Sequence, residues 1–146
     1  MSLKKFEEFV AAGFAKKQTP NRERAKSLAE EAANKHKFLN IAIKSIPNEK
    51  MNANFIIESC YDILMELIRA KMFIDGFNSK NSHEAEIAYT EKLGFSEAEM
   101  RFMDELRYSR NGIKYYGRTF DAEYSKKSLE FLEKTIPKLI KILSLK

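Results

Sequence analysis

The sequence predicts an all-α fold, an antiparallel bundle of about five to six helices. Apolar residues recur at helical spacing in every long segment, and no segment shows the alternation typical of a strand. Only five Gly and three Pro occur, and most of them fall between the periodic segments. With 146 residues, 44% of them hydrophobic, the chain is predicted to form one domain over residues 1–146.

The first two helices are predicted from Ser2 to about Lys16 and from the Thr19-Pro20 pair to about Ser45. A cap followed by Pro at the first helical position opens the second of them, and Pro47-Asn48 ends it. The apolar side of the first helix carries Leu3, Phe6, Phe9, Val10 and Phe14. The stripe of the second carries Leu28, Ala32, Leu39, Ala42 or Ile43, and Ile46.

A third helix, from about Met51 to Phe77, is apolar around most of its circumference, which predicts a central position in the bundle. Its Cys60, the only cysteine, is predicted to be a small core residue. One narrow polar line remains, formed by Glu58, Asp62, Glu66 and Arg69. Aligned carboxylates are costly to bury, so we expect them to face water, a partner helix or cations.

Turn and capping residues delimit the last three helices. A short helix is predicted from Ser82 to Leu93, between a polar loop and Gly94. The capping box of Ser96 and Glu99 starts the fifth helix, which is predicted to run to Tyr115 or Tyr116 and to end at Gly117. The sixth helix is predicted to be capped by Asp121, to be bent near Glu133 by Pro137, and to carry the stripe Leu129, Leu132, Ile136, Leu139 or Ile140, and Leu143.

Composition excludes several classes of function. A single cysteine and two histidines leave too few ligands for a structural zinc site, and no phosphate-cradling Gly loop or nucleophile elbow occurs, so we expect no metal and no cofactor. No apolar run is long enough to span a membrane, and charged residues near the start argue against an export signal, which predicts a cytoplasmic protein. The net charge of +5 favours anionic partners.

The fifth helix places a cation where a hydrophobic residue is expected. At 100° per residue Arg110 falls on the inward arc, with Arg107 and Lys114 beside it. The other residues of that arc are Phe102, Met103, Leu106 and Ile113. One interpretation is a structural ion-pair network between the third and fifth helices, with Glu58, Asp62 and Glu66 as partners.

The other interpretation is a ligand site. Cations alternate with rings at this helix end: Arg110 is followed by Asn111, Lys114, Tyr115, Tyr116 and Arg118. Such a surface suits a ligand with phosphates and bases, although these tyrosine rings are equally suited to fill the gap between the last two helices. His83 is open to two interpretations as well, a base or ligand on the one hand and a capping or surface residue on the other.

The chain resembles the HEPN domains (higher eukaryotes and prokaryotes nucleotide-binding). The resemblance covers about Arg22 to Leu143 and is carried by the long second and third helices and by the segments SCYDILMELIRAKMFIDGF, NSHEAEIAY and RYSRNGIKYYG. Its most specific element is Arg110-Asn111 with a ring residue five places after the Arg. In ribonuclease members of the family that ring is histidine, whereas here it is Tyr115.

The resemblance implies a dimer in which the Arg motifs face each other across the two-fold axis. It also implies relatives that are metal-independent RNA-cleaving toxins, often neutralised by a minimal nucleotidyltransferase, in some cases by adenylylation of a tyrosine near the motif. Carried over, Arg110 and Asn111 match the motif and Tyr115 replaces its histidine. A phenol with a pKa near 10 is a weak general base at neutral pH, so the substitution favours binding over catalysis.

The sequence therefore predicts a homodimeric, HEPN-like protein that binds nucleotide or RNA and acts with a minimal nucleotidyltransferase in a toxin-antitoxin-like pair. The binding residues are predicted to be Arg107, Arg110, Asn111, Lys114, Tyr115, Tyr116 and Arg118. Two alternatives stay open. One is an active metal-independent ribonuclease that uses Arg110 with Tyr115, or with His83 from another helix. The other is a non-catalytic helical interaction module with a structural Arg cluster.

Overall fold

The computed structural model describes residues 3–144, and these form a helical bundle. Within that range there are six α-helices: α1 Phe6–Ala11, α2 Arg22–Ser45, α3 Ala53–Asp75, α4 His83–Tyr89, α5 Glu97–Tyr116 and α6 Ala122–Ser144. Two short 3-10 turns, Asn48–Lys50 and Thr90–Leu93, follow α2 and α4. The prediction of an all-α bundle is confirmed.

Helix α3 lies at the centre of the bundle and packs against α2, α4, α5 and α6. Most of its length is buried, because hydrophobic side chains occupy nearly its whole circumference. Cys60 is fully buried, and this burial raises the pKa of its thiol to about 12. The central position of the helix and the core position of its cysteine are both confirmed.

The N-terminal segment departs from the prediction of a helix to Lys16. Helix α1 ends at Ala11, and Gly13 follows in the left-handed region at φ +85°, which favours glycine. The carbonyl of Phe9 then accepts hydrogen bonds from the backbone N–H groups of Phe14 and Ala15. This turn buries Ala15 and leaves the Phe14 side chain 60% exposed, so the predicted core position of Phe14 is wrong.

A two-residue strand pair replaces the end of the predicted first helix. Strand β1, Lys16–Lys17, pairs antiparallel with β2, Phe77–Asn78. Two further backbone hydrogen bonds continue this contact, from Gln18 N–H to the Gly76 carbonyl at 2.8 Å and from Asn21 N–H to the Phe73 carbonyl at 2.9 Å. The start of α2 is therefore tied to the end of α3.

Two helix ends shift as a consequence. The side chain of Asn21 accepts a hydrogen bond from the Arg24 N–H at 3.0 Å and caps α2, so the predicted cap at Thr19 and the first helical position at Pro20 are wrong. Helix α3 ends at Asp75, because Gly76 adopts φ +87° and the predicted last residue, Phe77, lies in β2.

The later helix signals are confirmed. Ser82 caps α4, Ser96 and Glu99 form the capping box of α5, and Gly117 ends α5 in a left-handed conformation. The Asp121 side chain accepts a hydrogen bond from the Tyr124 N–H at 2.9 Å at the start of α6. Pro137 lies inside α6, and the bend expected there stays a prediction.

Helices α5 and α6 contribute further core residues. Met103 and Leu106 of α5 are fully buried, as are Leu132 and Leu139 of α6, whereas Ile140 is exposed. The inward arc predicted for α5 is therefore confirmed at its centre, and that arc carries Arg110 towards α3. Across residues 3–144, none of the helices combines the length and the apolar character needed to cross a bilayer.

Candidate functional site

Arg110 lies between α5 and α3, and its side chain is only 15% exposed. Its Nη2 is 3.6 Å from Asp62 Oδ1, and its guanidinium carbon is 5.7 Å from the centre of the Tyr61 ring. A separation of 3.6 Å is too long for a good hydrogen bond. Within residues 3–144 no carboxylate lies within hydrogen-bond distance of this guanidinium. The guanidinium has five N–H donors and keeps its positive charge at all ordinary pH values.

Of the three carboxylates predicted to pair with Arg110, the structure brings only Asp62 to it. Glu66 instead accepts a hydrogen bond from Lys35 Nζ at 2.5 Å, which joins α3 to α2 and raises the pKa of Lys35. In the described part of the chain, Glu58 forms no ion pair with Arg110. Of the ion-pair network predicted between α3 and α5, Arg110 therefore forms only the 3.6 Å contact with Asp62.

Arg107 forms ion pairs with two nearby carboxylates, Asp104 and Glu84. Its Nε donates a hydrogen bond to Asp104 Oδ1 at 2.9 Å, and its Nη2 is 3.5 Å from Glu84 on α4. Its guanidinium also lies 4.6 Å from the centre of the Tyr108 ring. Arg107 therefore joins α4 and α5, and less of its charge is left for a ligand than at Arg110.

The end of α5 is exposed. The side chains of Tyr115 and Tyr116 are 63% and 80% exposed, and Lys114 Nζ lies 5.7 Å from the centre of the Tyr115 ring. Between α5 and α6 the gap is filled by Tyr124, which accepts a hydrogen bond from Ser109 Oγ at 3.0 Å and stacks on Phe120. The gap is thus filled by Tyr124, and the interpretation that the rings of Tyr115 and Tyr116 fill it is wrong.

The turn after α5 is held by contacts that the sequence analysis missed. Asn54 Nδ2 donates a hydrogen bond to the Arg118 carbonyl at 2.9 Å, and Asn54 Oδ1 accepts one from the Phe120 N–H at 3.0 Å. A Cβ atom at Gly112 would lie 2.6 Å from Arg118 Cδ, so glycine allows the Arg118 side chain to lie across α5. Arg118 is therefore positioned on the same helix end as Lys114 and Tyr115.

A second polar cluster, also missed, centres on the fully buried Glu86 of α4. Glu86 accepts hydrogen bonds from Arg69 Nε and Ser79 Oγ, each at 2.7 Å, and from His83 Nδ1 at 3.1 Å. Burial alone would raise the pKa of Glu86, but the hydrogen bonds from His83, Arg69 and Ser79 outweigh it and lower this pKa. The sequence signal that could have predicted this cluster is Arg69, because a cation on the buried central helix requires a carboxylate partner.

His83 is part of this cluster. Because the ionised carboxylate of Glu86 can only accept, Nδ1 of His83 carries the proton, and Nε2 keeps its lone pair when the ring is neutral. Its ring centre lies 5.6 Å from that of Tyr61, the residue that also contacts Arg110. Helix capping is done by Ser82, so His83 serves as a hydrogen-bond donor to Glu86.

Tyr61 lies between these two groups, fully buried, and in residues 3–144 its hydroxyl has no hydrogen-bond partner. Burial raises its pKa far above the ordinary value for tyrosine. An unpaired buried hydroxyl is destabilising, so Tyr61→Phe is expected to leave the free energy of unfolding unchanged or raise it by up to about 1 kcal/mol. Urea unfolding measures this. A loss above about 1 kcal/mol would show that the hydroxyl is paired in solution.

No three His, Cys, Asp or Glu side chains come close enough to hold a metal ion in the part of the chain that the structure describes. Of the residues predicted to bind a ligand, Arg107, Arg110 and Asn111 are partly buried, and Lys114, Tyr115, Tyr116 and Arg118 are exposed. No protein-family model, no curated protein and no solved structure matches this chain.

Proposed function

We propose that this chain is a nucleotide- or RNA-binding protein of the HEPN type. Its phosphate-binding residues are Arg110, Lys114 and Arg118, and its stacking residues are Tyr115 and Tyr116. The observation that carries the proposal is a largely buried Arg110 side chain whose one ion pair, to Asp62, is 3.6 Å long, on the helix that ends in the exposed rings of Tyr115 and Tyr116. One guanidinium can donate two parallel hydrogen bonds to the oxygens of a phosphate, and exposed aromatic rings can stack on bases.

Electrostatics supports an anionic ligand at this helix end. The C-terminus of a helix carries a partial negative charge, so the attraction has to come from the side chains. Lys114 and Arg118 are exposed there, and Arg110 is neutralised only in part by Asp62 at 3.6 Å.

Binding is favoured over cleavage by the position of Tyr115. Residues five apart on an α-helix are separated by roughly 140° around its axis, so Arg110 and Tyr115 of one chain project in different directions. Tyr115 is also largely exposed and has no carboxylate or imidazole beside it among the described residues to activate its phenol. A concerted attack by these two side chains on one phosphate is therefore disfavoured within one chain.

The partners proposed with this function rest on the resemblance of RYSRNGIKYYG to the HEPN motif. We propose a cytoplasmic homodimer in which Arg110 of each copy contributes to a shared site, and a minimal nucleotidyltransferase as the partner in a toxin-antitoxin-like pair. Exposure of Tyr115 and Tyr116 makes both hydroxyls accessible to such an enzyme.

The decisive experiment combines RNA binding with a cleavage assay in EDTA. We expect labelled single-stranded RNA to stay intact and to bind with an affinity that Arg110→Ala lowers roughly tenfold, about the strength of one charge-assisted hydrogen bond. Fluorescence anisotropy gives the affinity. Arg22→Ala, the same charge change at the exposed start of α2, is the matched control and is expected to change affinity less than twofold.

The other outcomes separate the alternatives. RNA cleavage that persists in EDTA and is abolished by Arg110→Ala would establish a ribonuclease. Unchanged RNA affinity together with a lower melting temperature or a lost dimer in Arg110→Ala would establish an interaction module with a structural arginine.

A further inference from the structure

A cavity of about 370 Å³ lies between α2 and α3, next to the proposed phosphate site. It is more than ten times the roughly 30 Å³ that one water molecule occupies, and it falls at the lower end of the range of about 300–1,000 Å³ that is typical of small-ligand sites. The cavity lies on the side of α3 that faces α2.

Two exposed phenylalanine rings line this cavity. Phe38 of α2 is 64% exposed and Phe55 of α3 is 42% exposed, although each lies beside buried neighbours, Leu39 and Ile56. Both rings also line a second cavity of about 320 Å³, which shares Phe38, Leu39 and Phe55 with the first. Rings in this arrangement offer flat faces on which a base can stack.

The polar groups of the cavity are mainly hydrogen-bond acceptors. Glu31 and Asp62 supply carboxylates, and Asn34 and Ser59 supply an amide and a hydroxyl. The one cation that lines the cavity, Lys35, is bound to Glu66 at 2.5 Å. A carboxylate pairs best with two adjacent N–H donors, and guanine is the RNA base that presents such a pair, on N1 and N2.

Asp62 connects the cavity to the phosphate site. It lines the cavity and also lies 3.6 Å from the Arg110 guanidinium. A nucleotide whose base lies in the cavity with its N–H edge at Glu31 could extend its phosphate past Asp62 to the Arg110 guanidinium. The Glu31 carboxylate suits the N–H edge of a base, and the Arg110 guanidinium beyond Asp62 suits its phosphate.

We propose that this cavity is the base subsite of the protein and selects guanine. The base stacks on Phe38 and Phe55 and donates its N1 and N2 hydrogens to Glu31, while Arg110 binds the phosphate of the same nucleotide. This inference rests on the function proposed above and adds the identity of the base.

The test is isothermal titration calorimetry of the full chain with GMP, AMP and UMP. We expect GMP to bind at least fivefold more tightly than the other two, and Phe38→Leu and Phe55→Leu each to weaken GMP binding about tenfold, the effect of one stacking contact. Phe14→Leu, the same change at a ring that is 60% exposed on the segment after α1, is the matched control and is expected to bind GMP normally. Glu31→Gln is expected to reduce the preference for GMP over AMP.

The outcomes distinguish this inference from the proposed function. If the three nucleotides bind equally, or if Phe38→Leu and Phe55→Leu bind GMP normally while Arg110→Ala still weakens RNA binding, the base subsite is overturned and the function stands. Changed oligomeric state with unchanged GMP affinity in the phenylalanine variants would also overturn the subsite. Absence of binding to RNA and to all three nucleotides would overturn both proposals.

Discussion

Glu86→Ala is expected to lower the free energy of unfolding by about 3–5 kcal/mol, the loss typical when one partner is removed from a buried ion pair. Glu86 is fully buried and accepts hydrogen bonds from Arg69, Ser79 and His83. Its removal leaves the mostly buried guanidinium of Arg69 without its carboxylate and leaves space where the side chain was. Urea denaturation measures the loss.

Two variants sharpen this experiment. Glu86→Gln keeps the shape and part of the hydrogen bonding, so we expect a smaller loss than for alanine. Glu84→Ala removes an exposed carboxylate two residues away, whose ion pair with Arg107 is 3.5 Å long, and is expected to change stability by less than about 1 kcal/mol. Equal effects of Glu86→Ala and Glu84→Ala would contradict the buried network.

The same carboxylate gives stability a defined dependence on pH. The pKa of Glu86 is lowered in the folded state, so between this value and the ordinary glutamate pKa of about 4.3 the unfolded chain binds more protons. The contribution of Glu86 to the free energy of unfolding is therefore complete at pH values above its ordinary pKa. It is lost as the pH falls through the lowered pKa of the folded state. Comparing acid unfolding of the native chain with Glu86→Gln checks this, since the variant lacks that part of the slope.

The affinity for single-stranded RNA is expected to fall about 20-fold between 50 and 200 mM salt. This follows from three phosphate contacts, by Arg110, Lys114 and Arg118, at a logarithmic slope of about −0.7 per contact. Fluorescence anisotropy at several salt concentrations gives the slope. A cation that contacts phosphate contributes to the slope, whereas one held in an internal ion pair does not.

Single charge removals identify the contributors. Lys114→Gln is expected to flatten the slope by about one third, as is Arg118→Gln. Arg107→Gln is expected to leave the slope nearly unchanged, because Asp104 and Glu84 already accompany that guanidinium. A flat response in the native chain would contradict the phosphate-binding face and favour a purely structural Arg cluster.

Local signals predicted most of the fold because they act over one helical turn. The capping box of Ser96 and Glu99, the left-handed Gly117 and the capping Asp121 each needed only neighbours three or four residues away. The predicted end of the first helix at Lys16 is wrong. The backbone of Lys16–Lys17 pairs instead with residues 77 and 78, about 60 positions away, and this pairing competes with continuation of the helix. The same long-range contact fixes Asn21, so α2 is capped there and begins at Arg22.

The candidate site was predicted in part for the same reason. The inward direction of Arg110 follows from helical period alone, and the structure places it against α3. Which carboxylate meets it depends on how far α5 is shifted along α3, and acids four residues apart differ by about 6 Å in height. Asp62 is at the right height, whereas Glu66 meets Lys35 of α2.

By itself the sequence determined the helices, their order along the chain, the central place of α3 and the buried direction of Arg110, since all of these depend on periodicity and capping within single segments. Only the tertiary structure decided the pairing of Arg69 with Glu86, the exposure of Tyr115 and Tyr116, and the cavity between Phe38 and Phe55. These features arise where different helices meet, and the relative shift and rotation of two helices depend on packing over their whole contact.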